Sequence, residues 1–152
     1  MALCVTLRDE CVRGTAAPLG SSRGSVSRDG ALPTSDTARL RGGELNAAVT
    51  SALVGVHTDH LGRGPRTAST FHQGNVLVTL MYEVLTPAER TLARNAHTDA
   101  VAQTRHLFQM TMETEFRAAV ERLTGRKVVA FISGNQFSPD VAAEIFILDK
   151  PL

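Results

Sequence analysis

The fold is decided by the stretch from Thr86 to Ser133, which reads TPAERTLARNAHTDAVAQTRHLFQMTMETEFRAAVERLTGRKVVAFIS. It opens with Thr86 at the N-cap, Pro87 at the first helical position and Glu89 completing a capping box. Apolar residues then recur on one helical face, namely Val101, Phe108, Met112, Phe116, Ala119 and Leu123. Gly125 offers a left-handed helix stop, and residues 127–133 have strand character. We therefore predict one long amphipathic helix followed by a strand.

Four further elements surround this stretch. Apolar spacing predicts a first helix from Glu44 to about Leu61, and alternation predicts a hairpin of two strands, Arg66–His72 and Val76–Leu85. Turn-forming residues over 134–140 predict a loop before a last strand, Val141–Leu148. The order α-β-β-α-β-β, with antiparallel hairpins and a long second helix, predicts an α+β fold: a two-layer α/β sandwich. Whether the two hairpins join into one sheet is left open by the pattern.

Residues 43–152 are predicted to form a single α+β domain, and residues 1–42 a disordered, low-complexity tail. The tail is rich in glycine and serine with dispersed charges, a composition that buries too little apolar surface to offset the entropy of ordering. Translation from a start codon placed too far upstream is an alternative origin for the tail, which the sequence does not distinguish from a native one.

Composition excludes several classes of function. Sixteen Lys and Arg balance 15 Asp and Glu, for a net charge of +1, so generic binding to nucleic acid through a broad basic face is not expected. Cys4 and Cys11 are the only cysteines, which predicts no disulfide framework and favours a reducing compartment. The sequence has no apolar run long enough to span a bilayer and no signal-peptide core. We expect a soluble, cytoplasmic protein.

Some apolar residues lie off the predicted core faces. Leu107 and Met110 fall away from the main face of the long helix, and Leu77, Met81 and Leu85 fall on the second face of a hairpin strand. Such residues would otherwise face water. We predict that Leu77, Met81, Leu107 and Met110 belong to a homodimer interface.

Two patterns are candidates for ligand chemistry. Arg63, Gly64 and Arg66 could present loop amides and guanidinium groups to an anion, although a helix-stop loop with solvated arginines explains the same residues. His57 and His60 are spaced i, i+3, but zinc needs a third protein ligand and the other histidines match no known spacing. We therefore predict no metal site and no cofactor. No nucleophile with a base at a recognised spacing is present, so no catalytic residue is predicted.

The order of several short motifs resembles a known family. The motifs are the Gly62-Arg-Gly-Pro65 turn, Leu85-Thr-Pro-Ala-Glu89, Leu123-Thr-Gly-Arg-Lys-Val-Val-Ala-Phe-Ile-Ser133, and Pro139-Asp140 before the Glu-Ile-Phe-Ile-Leu strand. In this order the chain resembles, over about Gly43 to Asp149, the bacterial Mps C-type domain family. That family is named after the C component of a Na+-translocating, membrane-potential-generating system.

The resemblance implies a module associated with a membrane system that moves sodium. It brings no catalytic residues to this chain, because the shared residues are turn and cap types. We therefore expect a non-enzymatic, cytoplasmic accessory or regulatory module with a protein partner, such as membrane ion-transport or bicarbonate-handling subunits. The alternative from a different class is a regulator that binds an anion, nucleotide or nucleic acid through Arg63, Arg66, Arg126 and Lys127.

Overall fold

The computed structural model describes residues 40–152 and, for their backbone alone, residues 3–7. Its elements are β1 (Leu3–Leu7), α1 (Gly42–Leu61), β2 (Thr67–Gln73), β3 (Val76–Tyr82), α2 (Pro87–Arg94), α3 (Thr98–Thr124), β4 (Val128–Phe137) and β5 (Asp140–Leu148). Most of the predicted tail lies outside the described residues, so its disorder stays a prediction. Residues 3–7, however, form a strand where the sequence indicated none.

The strands form one antiparallel sheet in the order β1-β4-β5-β3-β2. Pairing between β3 and β5 joins the two hairpins, which answers the question that the pattern left open. The helices α1 and α3 pack against each other and against the sheet. The predicted α+β class is confirmed, with three helices instead of two and with β1 as an additional edge strand.

The predicted long helix is interrupted between Arg94 and Thr98. The capping box of Thr86 and Glu89 forms as expected and starts α2. At the other end of α2, the amides of Asn95 and His97 both donate to the Leu92 carbonyl at 3.0 Å. Ala96 adopts the left-handed conformation between them, with φ of 63°. This geometry is a Schellman stop with alanine in the position that glycine usually takes, so the sequence carried no warning of it.

The predicted loop over residues 134–140 is also wrong. Strand β4 continues to Phe137, and only Ser138 and Pro139, joined by a cis peptide bond, connect it to β5. Gly134 and Asn135 pair with Ala143 and Ala142 of β5. Ladder hydrogen bonds on the β5 side therefore hold residues of turn-forming type in an extended conformation.

The face assignment of β3 is the reverse of the predicted one. Leu77 and Met81 are fully buried at 0% exposure, because they face the helices and join the hydrophobic core. Leu85 is buried as well. Both faces of β3 are apolar, and its polar residue Thr79 points toward the helices. The alternation of polar and apolar residues therefore predicted the wrong buried face. Leu77 and Met81 are therefore core residues and cannot form a dimer interface in this fold.

We expect Leu77→Ala to lower the free energy of unfolding by about 2–5 kcal/mol, since it leaves a cavity in a fully buried site. Chemical denaturation gives this value. The matched control is Leu107→Ala on α3, where the side chain is 64% exposed and the expected change is within about 0.5 kcal/mol. Equal effects of the two substitutions would contradict the buried position of Leu77.

Candidate functional site

A row of polar side chains crosses the helix-facing side of the sheet. The register places Thr70 opposite Thr79, Thr79 opposite Glu144, and Glu144 opposite Ser133. All four residues are buried. The hydroxyl oxygens of Thr70 and Thr79 are 2.8 Å apart, and the Thr50 hydroxyl of α1 donates to Thr70 at 2.7 Å. We call Thr70, Thr79, Glu144 and Ser133 the polar row.

A buried ion pair between Glu89 of α2 and Arg105 of α3 lies beside this row. The Arg105 Nε atom donates to Glu89 Oε1 at 2.8 Å, and Nη2 donates to Oε2 at 3.0 Å. Nη2 also donates to the carbonyl oxygen of Val84. The side chains are only 4% and 12% exposed, so this bidentate pair is shielded from water.

Besides pairing with Arg105, Glu89 caps the start of α2. Its Oε2 atom accepts a hydrogen bond from the Thr86 amide at 2.7 Å, which completes the cap of α2. Burial by itself would raise the pKa of Glu89, but the hydrogen bonds from Arg105 and Thr86 outweigh it and lower the pKa below its ordinary value. Glu89 is therefore held as a carboxylate at neutral pH.

His57 of α1 completes the cluster as a neutral imidazole. Its Nε2 atom lies 3.4 Å from Arg105 Nη1, and its Nδ1 atom lies 3.3 Å from the carbonyl oxygen of Arg63. Because a guanidinium can only donate, Nε2 accepts and Nδ1–H donates to the carbonyl. Burial, and next the charge of Arg105, lower the pKa of His57 to about 4.

Glu144 is a buried carboxyl group in the middle of the polar row. Burial raises its pKa to about 8, although the charge of Arg105 acts in the opposite direction. Oε2 of Glu144 and Nε2 of Gln109 have no hydrogen-bond partner within the described part of the chain. Both residues, together with His57 and Arg105, line a void of about 10 Å³, which has room for about one water molecule.

A larger groove of about 730 Å³ opens where α2 and the start of α3 approach the β4–β5 connection. Arg90 and Arg94 line it from α2, and Asn135 and Gln136 line it from β4. Asp140 also lines it, but its carboxylate accepts hydrogen bonds from the Val84 and Leu85 amides at 3.1 Å each and so supports the loop after β3.

Arg63 and Arg66, the predicted anion-binding residues, contact the loop that follows β3. Arg63 donates to the carbonyl oxygens of Leu85 at 2.8 Å and Glu83 at 3.1 Å. Arg66 pairs with the Glu83 carboxylate at 2.8 Å. Gly64 is required by packing, because a Cβ atom there would lie 2.8 Å from the Thr58 hydroxyl oxygen. Both guanidinium groups thus contact acceptors of the chain itself.

The basic residues of the alternative function do not form one surface. Arg63 and Arg66 follow the end of α1, whereas Arg126 lines a small pocket with Arg41 at its start. A helix of 20 residues separates the two places by about 30 Å.

The histidine pair also diverges. His60 binds Glu115 at 2.8 Å, while His57 turns inward. Among the residues that the structure describes, no three His, Cys, Asp or Glu residues are grouped as metal ligands would be.

The sequence was compared with models of known protein families. A family model described as Na+-translocating membrane potential-generating system (MpsC) matches residues 41–150. The chain belongs to the MpsC family. The match runs from the start of α1 to just past the end of β5 and confirms the resemblance inferred from the motifs. Searches of curated proteins and of solved structures found no match. Within residues 3–7 and 40–152, the MpsC domain has no helix long and apolar enough to cross a membrane.

Sequence reasoning missed the buried polar cluster. Glu89 was assigned to the cap alone, and Arg105, His57 and Glu144 were not connected with it. A usable signal was present, since Glu144 interrupts the apolar strand Val141–Leu148 on the side that faces the helices. Arg105 similarly lies four residues after Val101, on the apolar face of its helix.

We expect Arg105→Met to lower the free energy of unfolding by about 3–5 kcal/mol, because it leaves the Glu89 carboxylate buried without its partner. Arg66→Met is the matched control, since the side chains of the Arg66–Glu83 pair are 71% and 46% exposed. An exposed pair contributes about 1 kcal/mol at most. Chemical denaturation of both variants checks the difference, and a small effect for Arg105→Met would contradict the structural role of the ion pair.

The pH dependence of stability follows from His57 and Glu144. Between pH 4.5 and about 8 the folded state keeps a proton on Glu144 that the unfolded state releases, so stability falls as pH rises. Between about pH 4 and 6.5 the unfolded state protonates His57 while the folded state does not, so stability rises with pH. These slopes oppose each other up to pH 6.5. Above that pH the opposing His57 effect has ended, and Glu144 lowers stability by roughly 1 kcal/mol per pH unit until the pH nears 8.

We therefore expect Glu144→Gln to remove the loss of stability between pH 6.5 and about 8, as measured by denaturation at several pH values. Asp59→Asn is the control, because Asp59 is exposed on α1 and the variant should keep the slope of the unmodified protein. A slope that persists in Glu144→Gln would show that Glu144 is not the group responsible.

Proposed function

We propose that this MpsC domain is a non-enzymatic accessory module that binds a protein subunit of a Na+-translocating, membrane-potential-generating system on the cytoplasmic side. The observation that carries the proposal is the extent of the family match. Residues 41–150 include three helices and four of the five strands, so the unit that the family describes is the folded unit itself. The family description refers to a system, and the role we assign is that of one component acting on another.

The burial of the polar cluster supports a role without catalysis. His57, Arg105 and Glu144 are each at most 3% exposed. The void that they line, at about 10 Å³, is far smaller than the roughly 300–1,000 Å³ of ordinary ligand pockets. His57 and Arg105 also contact each other and the backbone. Their arrangement suits the stabilisation of a fold better than the binding of a substrate.

The groove beside α2 is the surface that we assign to the partner. Arg90 and Arg94 are one helical turn apart and line the same side of it. The lining has three acidic residues: Glu83 is paired with Arg66, Asp140 accepts hydrogen bonds from two backbone amides, and Asp99 lies in the first turn of α3. Arg90 donates to the carbonyl oxygen of Leu85 at 3.2 Å, so Arg94 is the residue that we assign to a carboxylate of an extended partner segment.

The alternative function, binding of an anion, nucleotide or nucleic acid, has less support. Arg63 donates to two backbone carbonyl groups, and Arg66 is paired with Glu83. Arg126 donates to the carbonyl oxygen of Pro151, near the start of α1 and away from Arg63 and Arg66. A salt-dependent affinity for nucleotides or nucleic acid would favour this alternative over the accessory role.

Deletion of the gene in its host tests the proposal. We expect a lower membrane potential and greater sensitivity to sodium at alkaline pH, because the system would lack a component. Membrane potential is followed with a voltage-sensitive dye, and the intact gene is returned as the control. An unchanged potential and unchanged growth under sodium stress would contradict the accessory role.

Charge reversal tests the groove. We expect Arg94→Glu to abolish co-purification of ion-transport subunits with the tagged protein, since it repels the carboxylates of the partner. Arg122→Glu is the matched control, because Arg122 also lies in the last turn of a helix but outside the groove. Mass spectrometry identifies what is captured, and thermal unfolding confirms that both variants fold. Equal capture by both variants would exclude the groove as the binding surface.

A further inference from the structure

On strands β2 to β5, the sheet face turned away from the helices is uncharged. Register relates its outward positions in four rows across β2, β3, β5 and β4: Gln73–Val76–Ile147–Ala130, Phe71–Val78–Ile145–Ile132, Ser69–Leu80–Ala143–Gly134 and Thr67–Tyr82–Val141–Gln136. We call this set the outer sheet face. It contains no Asp, Glu, Lys, Arg or His.

This face has the composition of an interface. An antiparallel sheet with one face in water normally alternates apolar residues inside with polar residues outside. In this sheet the second of the outward-facing rows is apolar and consists of Phe71, Val78, Ile145 and Ile132. The neighbouring row that faces the helices is the polar row. Phe71 is 50% exposed and Tyr82 is 40% exposed, and the remaining apolar side chains of the face are partly exposed. Such a contiguous apolar surface marks a site of protein association.

We propose that two copies of this chain pack their outer sheet faces together across a twofold axis. In such a contact each residue meets the same surface of the other copy, so a patch with charges of one sign would repel itself. The outer sheet face avoids this penalty because it has no charges. Face-to-face packing of two sheets is a standard arrangement, and the branched and aromatic side chains present here fill the space of about 10 Å between them.

The size of the face fits a dimer. Four strands spaced by about 4.8 Å, with about seven residues each, cover roughly 450 Å² in projection. With the relief of the side chains, two such faces bury about 1,200 Å² in total, which reaches the range of specific interfaces. The dimer does not rest on the proposed function, since it concerns the opposite side of the sheet from α2 and α3 and shares with the groove only Gln136 at its edge.

Light scattering of the full chain, with and without substitutions on this face, tests the proposal. We expect a dimer for the unmodified chain and a folded monomer for Ile145→Lys, which places an ammonium group at the centre of the face. Phe71→Lys, on the outermost of the four strands and already half exposed, should have the same effect and decides the matter if Ile145→Lys does not fold. Circular dichroism and thermal unfolding report folding.

Leu107→Lys is the matched control. Leu107 is 64% exposed on α3 and belongs to the other surface that the sequence predicted for association. We expect this variant to remain a dimer. The proposal is overturned if the unmodified chain is a monomer, if Phe71→Lys remains a dimer, or if Leu107→Lys alone becomes a monomer. A monomeric unmodified chain would mean that a partner subunit or another segment of this chain covers the face.

Discussion

The buried ion pair between Glu89 and Arg105 is the interaction on which the arrangement of this domain depends. It joins the first turn of α2 to the N-terminal third of α3 and, through the Val84 carbonyl, both helices to the chain just after the hairpin. Transfer of two charges from water to the interior is costly, and only bidentate geometry with further hydrogen bonds offsets it. Here Thr86 and Val84 supply those bonds. The ion pair thus connects the two helices across the break between them.

Around the ion pair the core accommodates buried polar groups in three different ways. Glu89 stays charged because it has a cationic partner. His57 remains neutral because burial and the nearby guanidinium disfavour a second positive charge. Glu144 keeps its proton because desolvation outweighs the attraction of a more distant cation. Together with Arg105, the three groups hold one positive and one negative charge at neutral pH, so the polar cluster is electrically balanced within an apolar core.

The sequence predicted the elements where the local chemistry was explicit. The capping box at Thr86, the glycine stop at Gly125 and the hairpin at Gly74 all carry standard signals, and all three form. The helix break at Ala96 was missed, because a left-handed alanine has no signature of its own. The faces of β3 were exchanged since both are apolar, and only a partner such as Thr70 tells which way Thr79 points.

The site itself was harder to predict than the fold. Arg63 looks like a ligand-binding residue in a glycine-flanked loop, and only the positions of the Leu85 and Glu83 carbonyl groups reveal that it supports the chain. Contacts such as Arg105 to Glu89 span 16 residues and a turn that the pattern did not show. These are properties of the assembled fold and not of any local stretch.

The polar row also determines how the strands align. Since the inward and outward rows of this sheet are both largely apolar, hydrophobicity alone would tolerate a slip of β5 by one residue, which exchanges its faces. Such a slip would turn Glu144 outward and place Ile145 among Thr79 and Ser133, which would leave those hydroxyls facing a hydrocarbon side chain. The observed alignment places Glu144 in the same buried row as Thr79 and Ser133. The buried polar row therefore favours the observed register of β5 over one shifted by a single residue.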